Sequence, residues 1–262
     1  MPVVQHVAPS TQRLVSSAVR DWRSVSGFEG GRGQPVDTGG DCSCTGRMIH
    51  VSGSPIGGEN PPHDKRWRAA VATAAAGTKS ATAVQLDFRL EPHRRVDLDN
   101  LVRPVLAGLR DAGVFAHGYR HLDAIMATKT PAGAHLGVDV RPATPDAIAA
   151  VSCPTAAEVV VAHAGVPRDD DRQSKRDWRN TVRRQQIEID DGPVWLDIAV
   201  SNRLSLEGLL KPIIDGLDPI LGIDRSATLE FTPNDDRVVW LRIHRQPHLL
   251  CAIVLAAGPT SA

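Results

Sequence analysis

Asp97 and Asp99 stand two apart in the stretch VDLDN, immediately before LVRPVLAGL. On an extended strand end, side chains two apart share a face, so this spacing brings two carboxylates together. Their mutual repulsion is relieved by a divalent cation. Donors that are all carboxylate oxygen select magnesium or manganese over zinc. Asn100, next in line, is placed to cap a helix or orient a ligand. A plainer reading makes both aspartates caps on a solvated turn. A further aspartate, Asp123, precedes a later apolar run.

Regular elements must hold these residues in place. The run AVQLDFRL (83–90) alternates as a strand, and Leu101, Val102, Val105, Leu106 and Leu109 fall at helical spacing. Proline is comfortable in the first helical turn, so Pro104 puts the helix start near itself and residues 97–103 at the strand end and helix approach. Unpaired N–H groups at such a helix start suit a phosphate. A strand is expected at MIHVSG, a helix at 65–76 and another strand at 122–129.

The same order then recurs. EVVVAHAG answers MIHVSG, Arg176-Asp-Trp178-Arg179 answers Lys65-Arg-Trp67-Arg68, and PVWLDIAV answers AVQLDFRL. LEGLLKPIIDGL from Leu206 answers LDNLVRPVLAGL from Leu98, and the run from Asp236 answers the run from Asp123. Each half therefore reads strand, helix, strand, acidic turn, helix, strand.

The DxDN sequence at Asp97, the basic residue Arg103, the apolar helix and Asp123 ahead of a strand together resemble the RusA-type Holliday-junction resolvases. The upstream IHVSGSP is similar to that family's first strand and turn. The resemblance covers roughly residues 48–130 and, more weakly, 158–245. It implies an α+β protein of two tandem RusA-like units, each a mixed sheet with helices packed on it, forming an intrachain pseudo-dimer. Expected boundaries are an N-terminal helix and Gly-rich linker (1–46), unit one (47–131), a connection (132–157) and unit two (158–262).

By the same resemblance Asp97, Asp99 and Asp123 would hold Mg²⁺ or Mn²⁺. Arg103 would contact the scissile phosphate, and the chemistry would be hydrolysis of a phosphodiester in branched DNA. Family members are homodimers that cut two strands of a four-way junction symmetrically. This chain departs from them: Arg103 replaces a lysine, and the second half has Ser205, Glu207 and Gly208 where acids and asparagine belong, keeping Lys211 and Asp236 with Asp235 beside it. One working site, giving a nick, is the implied outcome. The alternative is an inactive descendant that binds branched DNA or a protein partner, and cleavage of RNA or of a small phosphoester also stays open.

Basic side chains placed to track phosphates are Lys65, Arg66 and Arg68 on one helix, Arg95 beside the acidic turn, and Arg176, Arg179 and Arg183 on one face of the matching helix. Pairing with the acidic run Asp169 to Asp171 is the competing reading. Trp67 and Trp178 recur at equivalent places and read as core. Cys42-x-Cys44 with His50 or His63 has the wrong spacing for a zinc finger. His117 and His121 precede Asp123, where an imidazole would serve as a base or simply sit in a loop.

Composition sets the frame. The chain has 262 residues, 42% hydrophobic and 23% charged, with 30 basic and 30 acidic side chains. That is a globular composition, and its zero net charge removes any generic argument for nucleic-acid binding. Aromatics at 4% argue against a base-stacking platform. No basic segment followed by an apolar core begins the sequence, and the longest apolar run (249–257) is far below the ~20 residues that span a bilayer. The cysteines form no framework. A cytoplasmic protein without a membrane span is expected, and the tandem resemblance leaves open a monomer acting as a pseudo-dimer.

Overall fold

A computed structural model describes residues 47–55, 61–115, 118–132, 135–187, 189–201, 204–223, 233–249 and 251–260. The expected N-terminal helix and linker, Cys42, Cys44 and His117, and the side chain of His63, lie outside them.

The chain is an α+β protein built on one mixed eight-stranded sheet. Its elements run β1 (Ile49–Ser52), α1 (Pro61–Ala74), β2 (Ala83–Leu90), α2 (Leu98–Asp111), β3 (Ala124–Pro131), β4 (Gly137–Ala143) and α3 (Pro145–Ala149). There follow β5 (Val159–His163), α4 (Arg172–Arg183), β6 (Val194–Val200), α5 (Leu206–Ile214), α6 (Asp218–Leu221), β7 (Val238–Arg245) and β8 (Ile253–Pro259). No helix among the described residues is long and apolar enough to cross a membrane.

The strand order, β1-β4-β2-β3-β7-β6-β8-β5, has the same internal logic from either edge. In each half the second and third strands are parallel, and the fourth inserts antiparallel between the first and second. The halves meet where β3 and β7 run antiparallel, with Ala127 opposite Leu241. One departure matters for the site. Val194 pairs with Val238 but Trp195 pairs with Trp240, so β7 carries an extra residue at its start, a bulge of the kind that re-aims the chain.

Alternation along β2 explains the layering. Val84, Leu86 and Phe88 enter the main core with the helices, while Ala83 faces a smaller cluster around Ile148 of α3. β4 and β8 were not foreseen; the first lies in the expected connection. Gly137, Pro142 and the Pro/Ala-rich flanks of β4 mask its short alternation.

Helix α2 begins at Leu98, six residues before Pro104, which corrects the placement near the proline. Pro104 removes one intrahelical bond, to the Asn100 carbonyl, and interior proline costs about 3 kcal/mol. Against that, Leu98, Leu101, Val102, Val105, Leu106 and Leu109 are all buried, and each such side chain contributes about 1.5–3 kcal/mol. Burial wins. α5 repeats the arrangement with Pro212 inside it.

Candidate metal and phosphate site

With the helix starting at Leu98, Asp97 is its N-cap and Asp99 lies in the first turn rather than on a strand end. Asp97 bonds no helix N–H; its Oδ2 accepts from Asn100 Nδ2 at 2.8 Å. Asn100 thus orients a carboxylate. Asp99 is only 1% exposed, and neither carboxylate oxygen has a hydrogen-bond partner.

The third carboxylate is Asp235, from the short 3₁₀ turn Asp235–Arg237 of the second half. Asp97, Asp99 and Asp235 each offer an oxygen, all within 4.8 Å of one another. Asp123 is elsewhere: its Oδ1 lies 3.2 Å from Arg245 Nε, so the expected triad with Asp123 gives way to one completed across the halves. The acids Asp235 and Asp236 before a strand were the available signal. Choosing Asp235 required the β7 bulge, which sequence periodicity does not reveal. Asp236 instead faces Arg95 at 3.6 Å.

The basic residue is exchanged too. Arg103 reaches Glu207 at 3.7 Å, away from the acids it was expected to serve, because α2 and α5 pack against each other. Lys211 of α5 takes its place and acts electrostatically on Asp99. Lys211 Nζ is held 3.2 Å from the buried carboxylate of Asp215, which also meets Lys175 at 3.3 Å. At the mirrored position, with Ser205, Glu207 and Arg103, no such acid cluster occurs among the described residues.

Crowding shows in the proton affinities. Burial pushes the Asp235 carboxyl up to about 8, with the Asp97 charge and hydrogen bond adding to it. Burial also lifts Asp99 to about 6, against the pull of Lys211. Lys129 lies beneath the cluster, its ammonium pulled down by burial and supported by Asp236 and Asp97.

The donor set fits a hard divalent cation. Three carboxylates converge, and the buried oxygens of Asp99 have no protein partner to satisfy them, a state costly for a charged group and answered by Mg²⁺ or Mn²⁺.

Of the expected phosphate-tracking residues, Lys65, Arg66, Arg95, Arg176 and Arg183 are exposed. Two are committed elsewhere. Arg68 grips Asp111 through Nε and Nη2, and Arg179 grips Asp218 in the same bidentate way. Asp169 pairs with Lys175, and Asp171 caps α4. Trp67 and Trp178 are core residues. His50 pairs with Asp139 at the sheet edge, and His121 is exposed.

No protein-family model, curated protein or solved structure matches the chain.

Proposed function

We propose that this chain is a magnesium-dependent endonuclease that hydrolyses one phosphodiester in branched DNA, built from two RusA-like units as an intrachain pseudo-dimer. The observation that carries the reading is Asp99, a buried carboxylate with both oxygens unpartnered, within 4.8 Å of carboxylates from Asp97 and Asp235. The mirrored strand order and the repeated proline-bearing helices support two related halves.

Asp97, Asp99 and Asp235 would hold the cation, and a bound divalent ion supplies an acidified water and charge neutralisation at the phosphate. Lys211, fixed by Asp215, presents a compact ammonium beside Asp99 for the non-bridging phosphate oxygens. Asn100 keeps Asp97 turned into the site. The mirrored position has Ser205 and a Glu207 already paired with Arg103, so it binds without cutting and the product is a nick. Exposed Arg95 and Lys65, Arg66, Arg176 and Arg183 offer phosphate contacts; a cytoplasmic location is part of the same reading.

The test is cleavage of an end-labelled four-way junction with Mg²⁺, beside EDTA and Asp97→Asn controls. Metal-dependent nicking lost in Asp97→Asn supports the reading. Salt-sensitive junction binding without cleavage would replace it with a non-catalytic binding protein, and absence of both would overturn it.

A further inference from the structure

Lys129 and Arg245 each reach from one of the two central strands into the other half. Lys129, on β3, donates from Nζ to the carbonyl of Val96 at 2.7 Å and to the carbonyl of Asp236 at 2.5 Å. Val96 directly precedes Asp97, and Asp236 directly follows Asp235. One ammonium therefore ties together the two chain segments, from opposite halves, that carry the clustered carboxylates. Arg245, on β7, does the reciprocal thing. Its Nη2 donates to the carbonyl of Leu204, directly before Ser205, and its Nε pairs with Asp123. Both side chains bridge the halves, but only one lies under the acids.

We propose that Lys129 is the positioning residue of the acidic site. It is a fixed internal cation that sets the spacing between the Asp97–Asp99 turn and Asp235 before any metal arrives. The inference rests on the metal-site reading above and adds a residue that lies outside the DxDN motif.

Geometry is the warrant. Asp97, Asp99 and Asp235 repel one another, and a main-chain carbonyl beside each carboxylate-bearing segment is held by the same nitrogen. A side chain at 129 with neither donor nor charge would leave both carbonyls and the acids without it, so the segments would part. Residues that hold metal ligands in place through backbone or side-chain contacts typically change metal affinity by about 10–100-fold when removed. Arg245 is the internal control: it joins the halves at the same interface through Leu204 and Asp123.

The experiment titrates Mn²⁺ into the full chain by electron paramagnetic resonance and follows amide hydrogen exchange of residues 96–99 and 235–237. It compares wild type, Lys129→Met and Arg245→Met, with melting temperature measured for each. The expected result is Mn²⁺ affinity lowered at least about tenfold in Lys129→Met, affinity within about twofold of wild type in Arg245→Met, and faster exchange in both segments in Lys129→Met alone. Should Lys129→Met not fold, Lys129→Gln, which keeps two amide N–H donors on a shorter stem and carries no charge, is read in the same way. Unchanged affinity and exchange in the Lys129 variant, or equal losses in both variants that track melting temperature, would overturn the proposal. Failure of wild type to bind Mn²⁺ would count against the metal reading instead. Exchange of the two segments would then decide the role of Lys129 by itself.

Discussion

Arg103 Nε lies 3.7 Å from Glu207 Oε1, so the basic residue of each paired helix serves the turn of the other half. For the acids, the consequence is that Lys211, not Arg103, is the cation whose charge acts on Asp99. Lys211→Ala should lower the cleavage rate by roughly a hundredfold, the usual effect of deleting one charge-stabilising donor. Arg103→Ala should stay within about threefold of wild type, since it removes an exposed ion pair of small worth. Single-turnover nicking of a labelled junction measures both, and equal losses would return Arg103 to the site.

Metal-free stability should fall as pH rises. Asp99 and Asp235 have folded values of about 6 and about 8 against ordinary values of 3.8. The folded chain therefore holds protons that the unfolded chain has released, and stability drops from about pH 4 up through both values. A cation takes over the role of those protons, so added Mn²⁺ should raise the melting temperature near pH 8 and scarcely at all near pH 5. Asp99→Asn should flatten the metal-free decline and raise melting temperature near pH 8 while abolishing Mn²⁺ binding. Thermal melts with and without metal across that range are the check; a rising metal-free profile would refute the buried-acid account.

How far the sequence carried depends on the range of the interaction. β2 and the apolar stripe of α2 follow from period alone, and β2 runs from Ala83 to Leu90 as its alternation implies. The α+β class was legible in the order of elements, whereas β4 and β8, which complete the sheet, were not. Asp97 and Asp99 were legible as a pair because both lie on one local turn. Asp235 and Lys211 were not, since their positions follow from the β7 bulge and from α2 packing on α5. Both are long-range contacts, the bulge between β6 and β7 and the helix packing between residues as distant as Arg103 and Glu207. Pro104 misled for a related reason: its local penalty is real, but the buried stripe spans the whole helix.

Tight helix packing makes two glycines intolerant and a third permissive. A Cβ on Gly108 would lie 2.7 Å from the Arg68 carbonyl oxygen and 2.7 Å from Val71 Cβ, and one on Gly216 would collide with the Trp178 ring. Gly108→Ala and Gly216→Ala should each cost about 1–3 kcal/mol through overpacking. Gly208, on the exposed side of α5, would meet only Ser205 Cβ at 3.8 Å. Gly208→Ala should stabilise by about 0.5–1 kcal/mol, because alanine loses less chain entropy in a helix. Chemical denaturation of the three variants tests this ranking, which an equal response would break.

On the opposite face of the sheet, Asp197 and Arg242 form a buried bidentate pair, Nε to Oδ1 at 2.8 Å and Nη2 to Oδ2 at 2.6 Å. Arg242 Nη1 also donates to the carbonyls of Ile148, Ala149 and Val151, tying α3 and the connection to the sheet. Despite burial, the two Arg242 bonds, with the His244 imidazole 3.3 Å away, hold the Asp197 carboxyl down at about 2. The sign is therefore opposite to that of the acidic site. Asp197 adds stability above its ordinary value of 3.8, and that contribution is lost as pH falls through about 2. Asp197→Ala should destabilise by about 3–5 kcal/mol, because it strands a buried guanidinium. Replacing both partners with apolar residues should cost less than removing either alone. A double-mutant cycle at Asp197 and Arg242, read by denaturant unfolding at neutral pH, decides it: additive losses would mean that the two side chains act independently.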